Sequence, residues 1–235
     1  MIRILHTADW HLGQTFFGYD RTKEHEAFLD WLLREIRKNE IDALIIAGDV
    51  FDVSNPSAAS QRMYYEFIYR VTAENPGLQI VIVAGNHDSA ARLEAPLPLL
   101  QAMRTEVRGV VRKLNEGEID YDHLAVELKN REGEVEVLCM AVPFLRQGDY
   151  PVVETEGNPY MEGVRELYTQ LLQRLWARRK TNQAILAIGH LQATGSEIAE
   201  KDYSERTVIG GLECVSPDTF SEKIAYTALG HIHKA

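Results

Sequence analysis

The chain has 235 residues, a length that suits one large domain better than two. Its 25 basic and 35 acidic side chains give a formal net charge of −10. That balance argues against a free-standing domain that binds nucleic acid by its overall charge, although it leaves room for a local cationic site. The hydrophobic fraction of 45% is ordinary for a globular protein and excludes extensive disorder. No apolar run approaches the roughly 18 residues of a membrane span, and two cysteines favour a reducing cytosol over a disulfide framework.

Short apolar runs, each bounded by polar or glycine residues, predict buried strands. In chain order they cover residues 2–5, 43–47, 80–84, 184–188 and 224–229. Between the first three runs, apolar residues recur at helical spacing. This alternation of strand and helix predicts a largely parallel sheet with right-handed crossovers.

The middle of the chain has a different pattern. Residues 123–128 and 134–142 alternate in polarity around a turn and predict an antiparallel hairpin. A helix is predicted over residues 161–175, because its apolar side chains fall on one face. The sequence therefore predicts an α/β core with a second sheet packed on the first. Long loops are predicted at 146–159 and 192–207, and loops of that length are uncommon without a function.

Each of the five predicted strands is followed by Asp, His or Asn. The segments that follow are HTADWH, GD, GNHD, GH and GHIH. Because ligands bind at the carboxyl ends of parallel strands, these side chains are expected to converge on one region. Glycine precedes four of the clusters and permits tight turns there. Separate structural roles explain such a set of histidines poorly.

Imidazole, carboxylate and amide oxygen together suit a divalent cation of hard to borderline character. The segments contain no cysteine, which argues against a structural zinc or an iron–sulfur cluster. The candidate ligands exceed what one ion needs and suffice for two ions that share a carboxylate: Asp9, His11, Asp49, Asn86, His190, His231 and His233. Two divalent ions about 3.5–4 Å apart suit phosphoryl displacement, and they would supply positive charge that the composition hides.

The five segments, in this order, resemble the calcineurin-like metallophosphoesterases. The stretches ILHTADWHLGQ, EHEAFLDWLL, AGDVFD, VAGNHDS, PFLR and ALGHIHKA extend the resemblance to nuclease subunits of bacterial double-strand-break repair complexes. It spans essentially the whole chain and is weakest over residues 104–135 and 192–223. It implies a calcineurin-like core of two packed mixed β-sheets flanked by helices. It also implies one catalytic domain over residues 1–235, without the C-terminal capping domain of the family.

The resemblance implies a role for every candidate ligand: Asp9, His11 and His233 at a first ion, Asn86, His190 and His231 at a second, and Asp49 between them. It places His87 against the scissile phosphate, with Asp88 orienting or polarising it. As a neighbour of Asn86, His87 could instead be a metal ligand. Two divalent ions are expected, with manganese preferred and magnesium, iron or zinc as alternatives.

The activity implied by the resemblance is a DNA nuclease that degrades duplex ends from 3′ to 5′ and opens hairpins. An SMC-like coiled-coil ATPase would control access, in a bacterial cytoplasm and at the nucleoid. Two alternatives stay open. A phosphatase or small-molecule phosphodiesterase could share the metal site, and the negative charge favours it. A scaffold without catalysis is the other, and the pair His87 and Asp88 weighs against it.

A homodimer is expected through helices in residues 57–71 and 92–103, which pair the two chains in proteins of this kind. The first helix carries an apolar stripe of Ala59, Met63, Phe67 and Val71. A two-fold interface would bring the same stripe together from both chains. The alternative is that both helices pack wholly against their own sheet.

Overall fold

The computed structural model describes residues 1–193 and 214–232. The strands are β1 (Ile4–Thr7), β2 (Thr15–Phe16), β3 (Tyr19–Asp20), β4 (Ala43–Ala47), β5 (Gln79–Val83), β6 (Thr105–Arg108), β7 (Ala125–Lys129), β8 (Val135–Ala141), β9 (Ala184–His190), β10 (Gln192–Ala193), β11 (Cys214–Val215) and β12 (Tyr226–Gly230). The helices are α1 (Thr22–Lys38), α2 (Ala58–Glu74), α3 (Ala90–Glu94), α4 (Leu97–Ala102) and α5 (Pro159–Arg178). Short 3₁₀ turns occupy Asn115–Gly117 and Pro217–Thr219.

The first sheet has the strand order β1-β4-β5-β6, and all its pairs are parallel. Its central strand β4 has the sequence ALIIA and is buried along its whole length, as expected of a strand covered on both faces. Helices α1 and α2 connect its strands. The side chain of Ser57 caps α2 by accepting a hydrogen bond from the backbone N–H of Ser60 at 3.1 Å.

The second sheet has the strand order β12-β9-β8-β7. Strands β12, β9 and β8 are parallel, and β7 runs antiparallel to β8, so the predicted hairpin is present. Helix α5 covers this sheet. It begins with Pro159 at its first turn, and the Asn158 side chain accepts a hydrogen bond from the backbone N–H of Tyr160 at 2.9 Å.

The two sheets pack face to face through alternate residues of their strands. In β4, Ile45 points into the layer between the sheets, where it joins Cys139 of β8 and Ile188 of β9. Its neighbours Leu44 and Ile46 point the other way, into the core under α1 and α2. The result is four layers in the order helix, sheet, sheet, helix. The predicted architecture of two packed sheets flanked by helices is therefore confirmed. Mixed strand directions, which were expected in both sheets, occur in the second sheet, whereas all described pairs of the first sheet are parallel.

Two differences from the predicted elements have simple causes. Strand β1 begins two residues late, because its pairing with β4 starts at Ile4 and Ala43. Helix α2 buries Tyr64 and Ile68 at 0% exposure each, so the side that faces the sheet shares only Phe67 and Val71 with the predicted stripe. The predicted loop at 192–207 lies almost wholly outside the described residues.

Across residues 1–193 and 214–232, no helix is both long enough and apolar enough to cross a membrane.

Candidate metal centre

The carboxyl ends of strands from both sheets meet at one edge of the double layer. The Nδ1 atom of His190, at the end of β9, lies 2.8 Å from the carbonyl oxygen of Ala47, at the end of β4. The backbone N–H of Asp9 donates to the carbonyl of Gly48 at 3.0 Å, which ties the end of β1 to the same point. Residues far apart in the chain are therefore brought to one place, as the strand-end pattern predicted.

A first group of donors consists of Asp9, His11 and Asp49, with one ligand atom from each within 4.8 Å of the others. The Nε2 atom of His11 lies 3.7 Å from a carboxylate oxygen of Asp49. Both side chains are buried, His11 at 4% and Asp49 at 1% exposure. Carboxylate and imidazole donors at this spacing suit a divalent cation.

A second group consists of Asp49, His190 and His231, again with ligand atoms within 4.8 Å of one another. The Oδ1 atom of Asn86 lies 2.9 Å from Nε2 of His190 and 3.0 Å from Nδ1 of His231. Asn86 thus adds an amide oxygen to this group. Because Asp49 belongs to both groups, its carboxylate has the position expected of a ligand shared by two ions.

Four of the candidate ligands have left-handed backbone conformations, which are uncommon outside glycine. Their φ angles are 56° for Asp9, 45° for His11, 49° for Asp49 and 96° for His231. Each such conformation costs on the order of 1–3 kcal/mol, and such residues concentrate at functional sites. The strand ends therefore turn abruptly, and the turns aim the side chains at a common point.

Two glycines make room for this convergence. Gly48 has φ +92°, and a Cβ there would collide with the imidazole ring of His190. A Cβ on Gly85 would collide with the carboxylate of Asp49. Both positions therefore require glycine, because a side chain there would occupy the space of His190 or Asp49. Gly48 also has a positive φ, whereas Gly85 does not.

Asp49 and His190 form a buried ion pair, with Oδ2 and Nε2 3.2 Å apart. Burial acts to raise the pKa of Asp49, but the hydrogen bond and charge of His190 outweigh it and bring that pKa to about 2. Burial acts to lower the pKa of His190, but Asp49 outweighs it and raises that pKa to about 9. A cation that binds Nε2 of His190 must displace a proton, so affinity for divalent metal should rise with pH.

His87 lies beside the first group without belonging to it. Its Nδ1 atom is 2.7 Å from the backbone carbonyl of Asp52, and its ring packs edge to face on His11 at 4.8 Å between centroids. If Nδ1 carries the proton and donates to that carbonyl, Nε2 is the nitrogen left for a substrate. Ligand atoms of His11, Asp52 and His87 also lie within 4.8 Å of one another, so the alternative of His87 as a ligand stays open.

Asp52 is a site residue that the sequence reasoning did not single out. Its Oδ1 atom lies 3.5 Å from Nδ1 of His11, on the side of the ring opposite Asp49. Carboxylates in this position orient a ligating histidine and fix its tautomer. The available signal was the spacing of two aspartates in AGDVFD, which by itself does not say what the second carboxylate contacts.

The role expected for Asp88 needs correction. Its carboxylate accepts hydrogen bonds from the backbone N–H groups of Val50, Phe51 and Gly85, at 3.2, 3.0 and 2.9 Å. A carboxylate occupied in this way clamps the loop after β4 to the loop after β5. The partner that holds the His87 ring is the carbonyl of Asp52, so Asp88 acts on the loop backbone.

An aromatic side chain and a cation flank the second group. The ring of Phe144 lies 6.2 Å from that of His190 and 6.3 Å from that of His231 between centroids. The guanidinium of Arg146 sits 5.4 Å from the centre of the Phe144 ring. Arg146 therefore places a positive charge on the ring that neighbours these two histidines, in a chain whose net charge is negative.

The donor chemistry of these residues fits divalent metal ions. Carboxylate and imidazole atoms form two groups that share Asp49, and the amide oxygen of Asn86 lies beside the second group. Of the predicted ligands, the structure brings together Asp9, His11, Asp49, Asn86, His190 and His231. His233 lies outside the described residues.

The fold and this donor set define a class of α/β proteins with a carboxylate–imidazole metal centre at the shared edge of two sheets. The family model described as calcineurin-like phosphoesterase matches residues 2–235. The chain belongs to the calcineurin-like phosphoesterase family.

Among curated proteins, the chain is similar to the SbcD component of the nuclease SbcCD of Rhodobacter capsulatus, with 39% identity over 99% of this chain and 58% of that protein. It is 33% identical to the SbcD component of the nuclease SbcCD of Escherichia coli K12, over 100% of this chain and 56% of that protein. The chain therefore spans less than three-fifths of the length of these relatives. A solved nuclease from Pseudomonas putida matches with a TM-score of 0.33 and 14% identity, over 83% of this chain and 66% of that one. So weak a likeness says nothing about function.

Proposed function

We propose that this chain is the catalytic domain of a metal-dependent DNA phosphodiesterase. The observation that carries the proposal is the pair of donor groups that share Asp49, with His87 beside them. Similarity to SbcD components of SbcCD nucleases over almost the whole chain favours DNA as the substrate. A phosphatase with the same metal centre is the competing interpretation, because substrate choice depends on the surrounding loops.

The residues divide the chemical work between them. Two divalent cations, manganese first among the candidates, would activate water and offset charge on the phosphoryl group. Asp49 can serve both cation sites while its Oδ1 accepts the backbone N–H of His87 at 2.9 Å. His190 donates from Nδ1 to Ala47, which directs Nε2 toward the centre. His87 would present Nε2 to a phosphoryl oxygen or to the leaving 3′ oxygen, and it would donate a proton there when both ring nitrogens are protonated.

The proposal also covers the DNA substrates, the partner protein and the cellular location. The chain would act on duplex ends from 3′ to 5′ and on hairpins, together with an SbcC-type coiled-coil ATPase that controls access, in the bacterial cytoplasm and at the nucleoid. Residues 1–235 would form the nuclease domain. Two copies would pair through the exposed sides of α2 and of the α3–α4 segment, where Tyr69 and Leu99 lie open to solvent.

Hydrolysis of two small substrates by the Mn²⁺-loaded protein tests this function. Bis(p-nitrophenyl) phosphate should be cleaved faster than p-nitrophenyl phosphate, because a nuclease acts on diesters. Preference for the monoester would favour a phosphatase, and activity on neither would favour a scaffold. Duplex DNA with labelled 3′ ends, with and without the ATPase, then tests polarity.

The variant His87→Asn tests the proton role. Turnover should fall about 10²–10⁴-fold, as for loss of a general acid, while metal content measured by elemental analysis stays at the wild-type value. Loss of an ion in this variant would show that His87 is a ligand, and full activity would remove it from the chemistry.

A further inference from the structure

A small hairpin beside the metal centre carries exposed aromatic side chains. Strands β2 and β3 pair antiparallel, and Phe16, Phe17 and Tyr19 are exposed by 61%, 87% and 76%. The rings of Phe16 and Phe17 pack edge to face, 4.7 Å between centroids. Single exposed apolar residues are ordinary, but a contiguous cluster marks a site of interaction.

The base of this hairpin is joined to the metal ligands. The backbone N–H of Gln14 donates to the carbonyl of His11 at 2.9 Å. Across the hairpin, Nη1 of Arg21 donates to Oε1 of Gln14 at 2.6 Å. Both side chains line one cavity together with Asp9 and His11. Since Phe17 follows Gln14 by three residues, the Cα atoms of the two residues lie at most about 11 Å apart.

A guanidinium therefore lines the same cavity as the metal ligands, and the aromatic rings belong to the hairpin whose base that guanidinium joins. Proteins hold single-stranded nucleic acid with the same combination, a cation along the backbone and aromatic faces on which bases stack. Because the net charge is −10, the overall charge of the protein does not attract the phosphate backbone of nucleic acid. Stacking on bases would therefore supply part of the binding free energy.

We propose that the β2–β3 hairpin is a nucleobase-stacking subsite, in which Phe17, with Phe16 and Tyr19, stacks on unpaired bases of the strand whose phosphate lies at the metal centre. The inference rests on the proposed function, because it takes nucleic acid as the substrate. It assigns binding to residues that hold no metal. It predicts that splayed or single-stranded ends bind better than the same backbone without bases.

The test compares two labelled oligonucleotides of equal length and charge, one of thymidine nucleotides and one abasic. Binding is measured by fluorescence anisotropy at fixed ionic strength with Mn²⁺ present, and both strands carry phosphorothioate linkages to slow cleavage. Wild type should bind the thymidine strand about fivefold to a hundredfold more tightly than the abasic strand. Phe17→Ala should abolish most of that ratio, and Phe17→Trp should keep it. Equal or undetectable binding of both strands by wild type would overturn the proposal.

The matched control is Trp31→Ala, which removes a 48% exposed aromatic ring from α1 and should leave the ratio unchanged. Hydrolysis of bis(p-nitrophenyl) phosphate reports the proposed function separately, and Phe17→Ala should retain it. A base preference without hydrolysis would support the subsite and defeat the diesterase. If Phe17→Ala changes the oligomeric state in light scattering and leaves the ratio intact, the hairpin covers a second copy and the subsite is wrong.

Discussion

At the scale of single residues, Asp49 matters most because both donor groups contain its carboxylate. Its carboxylate is within reach of His11 at 3.7 Å and of His190 at 3.2 Å. Asp49→Ala should therefore reduce bound Mn²⁺ at both sites and abolish activity. The measurement is metal per chain by elemental analysis after dialysis against a fixed free Mn²⁺ concentration. His11→Ala is the control, since it should weaken one site only. Two tightly held ions in Asp49→Ala would rule out the shared ligand.

Asp52 should affect metal binding without being a ligand itself. Removing its carboxylate in Asp52→Ala leaves Nδ1 of His11 without the oxygen now 3.5 Å away. Loss of a group that orients a ligating histidine typically weakens metal affinity about 10–100-fold. Titration of Mn²⁺ against a competing chelator measures the change, and Asp52→Asn, which keeps an oxygen there, should lose less. An affinity for Mn²⁺ unchanged in Asp52→Ala would show that His11 is held by packing alone.

At the scale of elements, Glu94 fastens the end of α3 to the segment that follows β6. Its Oε1 accepts the backbone N–H groups of Gly109 and Val110 at 2.8 and 3.3 Å. Burial acts to raise the pKa of Glu94, but the nearby His123 side chain and the hydrogen bonds from these amides outweigh it and lower that pKa to about 2. Because the folded pKa lies below the ordinary value, the carboxylate stabilises the fold above about pH 4.5, and this contribution is lost as pH falls toward 2.

Glu94→Gln should therefore lower the free energy of unfolding at pH 7 by about 1–2 kcal/mol, a value reduced for partial solvent access. The gap between wild type and variant should shrink as pH falls from about 5 to 2. Urea denaturation at several pH values measures it. Glu154→Gln, in an exposed loop, is the control and should change little. A gap that stays constant down to pH 2 would contradict the assignment.

At the scale of the whole molecule, the expected homodimer depends on what α2 and α4 leave exposed. Phe67 and Val71 of the predicted stripe are buried against the chain's own sheet, at 3% and 0% exposure, so they cannot meet a partner. Tyr69 and Leu99 remain, at 66% and 71% exposure. The proposed interface therefore uses the outer side of these helices, whereas Ala59 and Met63 line a groove between α1 and α2.

Leu99→Glu should dissociate the dimer, because an unpaired carboxylate buried between two copies is costly. Light scattering over a concentration series measures the mass. Val152→Glu places the same charge on a side chain that is 98% exposed in the loop before α5 and should not change the mass. A wild-type protein that stays monomeric at high concentration would end the proposal.

Sequence alone was enough to predict which residues come together at the centre. The spacing of apolar residues predicts strands and helices without knowledge of the tertiary structure. The carboxyl ends of parallel strands then share one edge of a sheet. Within the first sheet those two facts bring together Asp9, His11, Asp49 and Asn86, and within the second they bring together His190 and His231, whereas the meeting of the two sets depends on how the sheets pack. Helix α5 and the β7–β8 hairpin were predictable for the same reason.

Only the tertiary structure decided how those residues divide their contacts. That Asp88 clamps backbone amides, that Asp52 faces His11, and that the hairpin at 15–20 stands exposed beside the centre all depend on side-chain directions. Those directions are set by turns with left-handed φ angles and by packing between segments distant in the chain. The face that α2 buries was likewise decided by the sheet beneath it, because apolar residues surround most of that helix and its own pattern does not choose among them.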